Sequence, residues 1–199
     1  MAETLVLASA SPSRRMLMEN AGLFFQAVAA QIDERAFEDS IAHRSFGPGE
    51  LALELALQKA LEVSNRFPKA LVIGCDQTMS LGQRVFHKPA DRHEASSTLR
   101  TLRGNVHRLN SGVVLVQEGR EVWRHLSTAD LAMRDFSDAF LELYLERCGD
   151  SVMKSVGCYQ LEGIGIQLFD SIAGDYFTIL GLPLLPLLGQ LRALGELDA

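Results

Sequence analysis

Short apolar runs alternate with helix-like segments along this chain, and that alternation limits the folds that it can adopt. The runs Thr4–Ala8 and Ala70–Gly74 have the length and composition of buried strands. Between them lies Pro48–Arg66, which shows partial periodicity of about 3.6 residues and ends just before Pro68. Strands that alternate with helices in this way predict an α/β fold, in which helices flank a sheet.

Two further patterns predict antiparallel hairpins within this arrangement. Thr78–Phe86 can fold back about Gly82, and Val106–His125 can fold back about the Glu118–Gly119 turn. The predicted sheet is therefore mixed. Two more strands are predicted at Phe24–Ala30 and Ile164–Phe169. The remaining helices are predicted at Ser13–Ala21, Ala90–Leu102, Ser137–Arg147 and Pro183–Glu196.

Composition excludes several classes of protein. The chain has 199 residues and shows no internal repeat or linker, which predicts a single domain over residues 1–199. Its net charge of -6 does not suit a nucleic-acid-binding surface, which is usually basic. The longest apolar stretch, Ile179–Leu188, contains two prolines and is too short to span a bilayer. Three cysteines without a CxxC motif fit a reducing compartment, so we expect a cytoplasmic protein.

The first candidate site is the segment that begins at Ser9, follows a predicted strand and opens a predicted helix. Backbone N–H groups at a helix N-terminus bind anions. Ser9 and Ser11 can donate hydrogen bonds to a phosphate, and Arg14 can bind one through two N–H groups. The alternative is a structural helix cap, in which Ser11 caps the helix and Arg14 is solvated. The segment lacks the glycines and the lysine of a Walker A loop.

The second candidate site is Gly74–Gln77, directly after a predicted strand. Ligands of open α/β sheets bind at the carboxyl ends of strands, where Asp76 can hold a metal or activate a water molecule. The alternative is an aspartate that caps a turn. Cys75 has no indicated histidine partner and is interpreted as a small packed residue rather than a nucleophile.

Three charged residues form a third candidate group. Glu34, in a predicted turn, can supply a second carboxylate to Mg²⁺ or Mn²⁺, which prefer oxygen ligands. Lys59 and Lys88 can neutralise phosphate oxygens. Taken singly, each of these residues also fits a solvated surface position.

The fourth candidate is the glycine-rich stretch Ser155–Gly165, which can approach a ligand closely. Tyr159 can stack on a base, and Glu162 can accept hydrogen bonds from a base edge. The alternative is a structural turn before the predicted strand Ile164–Phe169. The five histidines show no metal-binding spacing, and none is assigned to a metal.

Taken together, these segments and the helix that carries Lys59 resemble the Maf family of nucleoside triphosphate pyrophosphatases, also called septum-formation-inhibitor-like proteins. The resemblance runs nearly end to end in order and spacing. The segments that carry it are LASASPSRR, QIDE, VIGCDQ, HKP, CYQLEG and GDYFTILGLPL.

The resemblance implies a two-lobed α/β fold like that of the inosine triphosphatases, with a mixed sheet, flanking helices and a cleft between the lobes. It also implies a homodimer and metal-dependent hydrolysis of a nucleoside triphosphate to the monophosphate and pyrophosphate. By position, Asp76 would be the proton acceptor and, with Glu34, a metal ligand. The residues that would bind the phosphates are Ser9, Arg14, Lys59 and Lys88.

Ser13, Gln77 and Glu162 match positions that determine base specificity in this family. The branch that acts on dTTP and UTP usually has Arg, Thr and Gln there, whereas the 7-methyl-GTP branch resembles this chain at Gln77 and Glu162. Guanine presents two adjacent donors that suit a carboxylate, and a methylated, positively charged base suits it further. Ser13 departs from the larger residue, such as Trp, that is often found in that branch.

These features predict a 7-methyl-GTP pyrophosphatase. The first alternative is a dTTP/UTP pyrophosphatase. The second is a nucleotide-binding regulator of cell division without turnover, which the catalytic position of Asp76 disfavours. A haloacid-dehalogenase-type phosphatase would need a DxD motif, and Asp76-Gln77-Thr78 does not supply one.

Overall fold

A computed structural model describes residues 4–198 and has the expected α/β architecture. The strands are β1 (Leu5–Ala8), β2 (Gln26–Ala27), β3 (Leu71–Leu81), β4 (Arg84–Phe86), β5 (Val106–Gln117), β6 (Arg120–Met133) and β7 (Phe169–Ala173). The helices are α1 (Pro12–Asn20), α2 (Glu34–Ile41), α3 (Pro48–Arg66), α4 (Arg92–Leu102), α5 (Asp138–Cys148), α6 (Tyr176–Ile179) and α7 (Leu184–Ala193). Short 3₁₀ helices occupy Ala42–Arg44, Gly149–Lys154 and Ile164–Leu168.

The seven strands form one mixed sheet, which confirms the predicted fold class. Its order is β2-β1-β3-β5-β6-β7, and β4 pairs with β3 beside this path. β1 runs parallel to both β2 and β3, whereas β4 runs antiparallel to β3 and β7 runs antiparallel to β6. No helix within residues 4–198 is long and apolar enough to cross a lipid bilayer.

The chain divides into two compact units, and neither is a continuous segment. The first unit contains residues 4–77, 110–128 and 175–198 of the described chain. The second contains residues 78–109 and 129–174. Strands β3, β5 and β6 each contribute residues to both units. The single domain over residues 1–199 stays a prediction.

In the first unit, the two faces of β3 lie in different cores because successive side chains of a strand point to opposite faces. Leu71, Ile73 and Cys75 belong to a core that includes Leu187 of α7 and Leu17 of α1. Val72 of the opposite face belongs to a core that includes Ala56, Ala60 and Val63 of α3. Asp76 shares the register of Val72 and therefore lies on the α3 side.

Glycines let α3 pack close to the sheet. A Cβ on Gly74 of β3 would lie 2.1 Å from the backbone oxygen of Ala56 and 2.8 Å from Ala60 Cβ. A Cβ on Gly112 of β5 would lie 3.0 Å from the backbone of Ala52. Because neither strand position carries a side chain, the helix backbone lies almost against the strands, and this close approach brings Lys59 to the sheet.

The second unit packs α4 and α5 together with the 3₁₀ helix Gly149–Lys154. Ser137 caps α5 by accepting a hydrogen bond from Phe140 N, and Gly149 ends the helix with a positive φ of 53°. Fully buried residues of this unit include Leu99, Leu102, Leu131, Leu141, Leu145 and Leu168.

Several predicted elements agree with the structure. Helix α3 has the predicted bounds, and both predicted hairpins form: β3 and β4 pair across Gly82, and β5 and β6 are joined at Glu118–Gly119. The two turn residues have φ values of 49° and 72°, as tight two-residue hairpins require.

Two predicted strands are wrong in extent or type. Only Gln26–Ala27 of Phe24–Ala30 is a strand, and Phe24 is 96% exposed, so apolar composition there does not mark burial. Ile164–Leu168 forms a 3₁₀ helix, and the strand β7 begins where the predicted strand ends. Gly165 permits this tight packing, because a Cβ there would lie 2.6 Å from Gln160 O, and an apolar run alone does not reveal it.

Candidate functional site

The loop after β1 opens helix α1 through two serine hydroxyl groups. Ser11 is the N-cap, and its side chain accepts a hydrogen bond from Arg14 N at 3.4 Å. Ser9 is buried, and its Oγ accepts a hydrogen bond from Ser11 N at 3.2 Å. The structural interpretation of Ser11 as a cap is therefore confirmed, and both hydroxyl groups lie at a helix N-terminus.

The Arg14 guanidinium group is held by the protein rather than solvated. Its Nε donates to Gly181 O at 2.8 Å, and its Nη1 donates to Cys75 O at 2.8 Å and to Ser9 Oγ at 3.4 Å. Gly181 has a φ of 88°, and a Cβ there would lie 3.3 Å from both Nε and Nη2 of Arg14. The arginine is therefore pre-positioned beside Ser9, with N–H groups still available to an anion.

Lys59, Asp76 and Glu34 form a compact charged cluster at β3. Lys59 Nζ lies 2.5 Å from Asp76 Oδ1 and 2.7 Å from Glu34 Oε1. The side chains of Lys59 and Asp76 are only 12% and 10% exposed, whereas that of Glu34 is 50% exposed. One side of the cluster is thus buried against the sheet, and the other is open.

Two local predictions about this cluster were wrong. Asp76 does not follow a strand but lies within β3, two residues after the last pair that β3 forms with β1, at Gly74. Glu34 is not in a turn but is the first residue of helix α2, which Asp33 caps by accepting from Ala36 N at 3.0 Å. Both errors arose because hydropathy does not mark these parts of the elements: β3 continues beyond its apolar run through the buried polar residues Asp76 and Thr78, and α2 has only one buried residue, Ile41.

The donor set of this cluster suits a hard divalent cation. The carboxylates of Asp76 and Glu34 already share one cation, the Lys59 ammonium group, so both can reach a common positive charge. Mg²⁺ typically takes one or two protein carboxylates and completes its shell with phosphate and water. No group of three or more His, Cys, Asp or Glu side chains disposed to hold a metal occurs within residues 4–198.

Gln77 is fixed by a hydrogen-bond network on the other face of β3. Its Nε2 donates to Ser111 Oγ at 2.8 Å, to Thr178 O at 2.9 Å and to Ile179 O at 3.2 Å. Ser111 Oγ in turn donates to Thr178 O at 2.7 Å. Since carbonyl oxygens only accept, this network fixes which end of the Gln77 amide faces α6.

Cys75 is a packing residue, as predicted. Its side chain is fully buried, and this burial raises the pKa of the thiol to about 11, against the opposing positive charges of Arg14 and Lys59. The thiol is therefore protonated at neutral pH, as expected for a buried packing residue rather than a nucleophile.

The remaining predicted site residues lie elsewhere. Ser13 is half-buried in α1 of the first unit. Lys88 and Glu162 belong to the second unit, where both are exposed and where Glu162 lies in a turn. Within the first unit, the structure brings together Ser9, Arg14, Glu34, Lys59 and Asp76.

The prediction that Tyr159 can stack on a base is wrong. Its side chain is buried, and its hydroxyl lies 2.7 Å from His107 Nε2. Its ring packs edge-on against Phe169 with the centroids 4.8 Å apart. Tyr159 is thus only 8% exposed and packs within the second unit.

Sequence reasoning missed the residues that hold Arg14 and Gln77 in place. Gly181, Ser111 and Thr178 make those contacts over separations of 34 to 167 residues, which no local pattern reveals. The segment GDYFTILGLPL contains two of them. The resemblance of this segment to the family indicated that it matters for function, but it did not indicate which of its residues make contacts.

Comparison with known proteins agrees with the motifs. The family model described as Maf-like protein matches residues 4–194. The "7-methyl-GTP pyrophosphatase" of Rhizobium etli is 57% identical over 198 residues, covering 100% of each chain. That of Rhizobium johnstonii is 58% identical over the same length and coverage. The "Nucleoside triphosphate pyrophosphatase" of Rhodopseudomonas palustris is 51% identical, covering 96% of this chain and 93% of its own. The chain belongs to the Maf family.

Proposed function

We propose that this chain is a metal-dependent pyrophosphatase that hydrolyses 7-methyl-GTP, or a related modified nucleotide, to the monophosphate and pyrophosphate. One observation carries the proposal: Asp76, Glu34 and Lys59 converge at the middle of β3, next to Cys75, whose backbone oxygen accepts a hydrogen bond from Arg14. The full-length relatives named as 7-methyl-GTP pyrophosphatases support the choice of reaction and base.

The phosphates are expected to bind the basic and hydroxyl groups of the first unit. Arg14 is held in place by protein carbonyls, so binding a phosphate would cost little additional conformational freedom. Ser9 adds a hydroxyl group at the N-terminus of α1. Lys88 of the second unit is proposed as a further phosphate ligand. These groups would offset the negative charge that develops on the leaving pyrophosphate.

Asp76 is proposed as the residue that orients and deprotonates the attacking water. In the ligand-free protein its carboxylate is bound to the Lys59 ammonium group. A polyphosphate offers that ammonium group a stronger anionic partner. Transfer of Lys59 from the carboxylate to a phosphate oxygen would leave Asp76 free to accept a proton.

Mg²⁺ or Mn²⁺ is proposed as the cofactor, with Asp76 and Glu34 as its protein ligands. When bound, such an ion neutralises phosphate oxygens and orients the triphosphate. The shared position of the two carboxylates around one ammonium group supports this assignment.

Base recognition is proposed to involve Glu162, Gln77 and Ser13. A carboxylate at position 162 can accept hydrogen bonds from two adjacent guanine donors, and its negative charge favours a methylated, positively charged base. Gln77 is proposed to act indirectly. Its amide donates hydrogen bonds to Thr178 O and Ile179 O and so sets the position of α6 relative to β3.

The same proposal includes a homodimer in the cytoplasm that binds neither nucleic acid nor a membrane. The net charge of -6 supports the exclusion of nucleic acid.

The test is pyrophosphate release from 7-methyl-GTP, GTP, UTP, dTTP and CTP with Mg²⁺ or Mn²⁺. We expect selective turnover of 7-methyl-GTP, and a fall in kcat of at least about 100-fold in Asp76→Asn. Asp170→Asn, an exposed aspartate of the second unit, is the matched control and should retain activity.

Other results would change the proposal in defined ways. A preference for UTP or dTTP would retain the reaction and contradict the roles of Glu162 and Gln77. Nucleotide binding without any turnover would favour the regulator of cell division instead.

A further inference from the structure

The exposed turn that carries Glu162 directly follows a buried residue, Tyr159. Gly163 N donates to Gln160 O at 3.2 Å and closes the turn, and Ile166 N donates to Gly163 O at 3.3 Å as the chain enters the following 3₁₀ helix. Tyr159 lies directly before this turn and is only 8% exposed. The position of the Glu162 carboxylate therefore depends on how Tyr159 is held.

Tyr159 is held by its backbone, its ring and its hydroxyl group. Ser155 Oγ accepts from Tyr159 N at 3.0 Å and donates to Tyr159 O at 2.7 Å. The ring packs at 80° against Phe169, and the hydroxyl group lies 2.7 Å from His107 Nε2. Three independent contacts thus restrict Tyr159, the residue that directly precedes the turn.

His107 is uncharged at neutral pH, and its tautomer follows from its surroundings. The ring is fully buried, and this burial lowers its pKa to about 4. Its Nδ1 has no hydrogen-bond partner among residues 4–198. An unpaired acceptor is more tolerable in a core than an unpaired N–H. Nε2 therefore carries the proton and donates a hydrogen bond to Tyr159 Oη. The Tyr159 hydroxyl group in turn donates to Met79 Sδ at 4.0 Å.

Two glycines of the stretch Ser155–Gly165 allow its backbone to pack directly against Tyr159 and Gln160. A Cβ on Gly157 would lie 2.2 Å from Tyr159 Cε1. A Cβ on Gly165 would lie 2.6 Å from Gln160 O and 3.0 Å from Tyr159 Cβ. Because the backbone at Gly157 and Gly165 lies against Tyr159 and Gln160 with no room for a Cβ, a change in the tilt of Tyr159 displaces the segment that carries Glu162.

We propose that Tyr159 and His107 are positioning residues that set the location of the Glu162 carboxylate and thereby the preference for the base. This inference rests on the proposed function, in which Glu162 reads the base. Neither residue touches the nucleotide. Their hydrogen bond acts through the turn, so its loss affects discrimination between bases more than the hydrolytic step.

The experiment measures kcat and KM for 7-methyl-GTP and for GTP in Tyr159→Phe, which removes only the hydroxyl group. We expect the ratio of kcat/KM for 7-methyl-GTP over GTP to fall roughly 3- to 10-fold, the size of one lost hydrogen bond. The loss should lie in KM for 7-methyl-GTP, with kcat within about twofold of the wild type. His107→Leu should act like Tyr159→Phe, and His107→Gln, which retains an N–H group, should restore most of the ratio.

A double-mutant cycle with Glu162→Gln separates positioning from a general loss of stability. If Tyr159 acts through Glu162, the double variant Tyr159→Phe/Glu162→Gln has the same ratio as Glu162→Gln alone. Ser137→Ala, which removes the cap of α5 in the same unit, should lower the Tm and leave the ratio intact.

Two results overturn the inference and are distinguishable. If Glu162→Gln leaves the ratio unchanged, the proposed base recognition fails and the positioning role fails with it. If Glu162→Gln changes the ratio but Tyr159→Phe and His107→Leu do not, only the positioning role is wrong.

Discussion

Lys59 places a positive charge between two carboxylates at a largely buried position. A charge taken out of water is costly unless it is paired, and removing one partner of such a pair leaves the other uncompensated. The ammonium group of Lys59 therefore stabilises Asp76 and Glu34 in the ligand-free protein. The same contact makes Lys59 a competitor of any metal that needs these carboxylates.

Lys59→Met should raise the affinity of the nucleotide-free protein for Mn²⁺ by about tenfold or more. Loss of the competing charge leaves two unpaired carboxylates, which attract a divalent cation more strongly. Isothermal titration calorimetry with Mn²⁺ alone measures the effect, and pyrophosphate release should fall in the same variant. Lys69→Met, at an exposed site, is the control. An unchanged or weaker Mn²⁺ affinity in Lys59→Met would contradict the shared site.

His107 makes stability depend on pH. Burial lowers its pKa from 6.5 to about 4, although the charge of Asp130 acts in the opposite direction. Between about pH 6.5 and pH 4, His107 therefore binds a proton in the unfolded chain but not in the folded protein. The free energy of unfolding should decrease as the pH falls from about 6.5 to about 4, by roughly 3 kcal/mol in all.

Urea unfolding at several pH values between about 7.5 and 4 measures this contribution. His107→Gln should show a shallower loss of stability over that window, since it has no proton to gain. Parallel curves for the wild type and His107→Gln would show that His107 is not the responsible group.

At the scale of elements, the contact between α3 and the sheet decides where Lys59 lies. Small residues face each other across this contact, with Gly74 and Gly112 on the strands and alanines on α3. Lys59 belongs to the same helical stripe as Ala52, Leu55 and Val63, one turn from each neighbour. A lysine in a buried stripe is a signal that the sequence itself contains.

Gly74→Ala should destabilise the protein by about 2 kcal/mol or more, because its Cβ would lie 2.1 Å from Ala56 O and α3 would have to move. Turnover should also fall as Lys59 moves with the helix. Thermal unfolding and pyrophosphate release measure the two effects.

Gly189→Ala is the matched control for Gly74→Ala. Gly189 lies inside α7, and a Cβ there meets nothing within 4 Å. This substitution should stabilise the helix by roughly 0.5 to 1 kcal/mol. Equal stability of the two variants would show that α3 does not pack as closely as the structure indicates.

At the scale of the whole molecule, the chain passes between the two units four times, after residues 77, 109, 128 and 174. Neither unit can therefore be excised as a continuous segment. Strands β3, β5 and β6 continue from one unit into the other, so loss of a strand in one unit affects residues of both.

The predicted single domain should unfold in one cooperative transition. Calorimetry should give equal calorimetric and van't Hoff enthalpies. The cap variants Ser11→Ala in the first unit and Ser137→Ala in the second should each shift that one transition downward, with a loss of about 1 kcal/mol. Two separable transitions, each moved by only one variant, would contradict a single domain.

Local patterns predicted much of the fold. Helix α3 has the predicted bounds, because Pro48 suits its first turn and Glu50 accepts from Gly47 N at 2.9 Å. The hairpin at Glu118–Gly119 follows from two residues with positive φ. The predictions failed where local composition and burial disagree, at the exposed Phe24 and at the tight turn Ile164–Leu168.

By itself, the sequence determined the α/β class, the order of most elements and the segments that contain the site residues, because these depend on periodicity, turn residues and short motifs. Only the tertiary structure decided that Lys59 lies between Glu34 and Asp76, that Arg14 binds Gly181 O and that Tyr159 is buried against His107. Those contacts join residues 17 to 167 positions apart. They depend on which strands are neighbours and how closely a helix packs, and local sequence patterns contain neither.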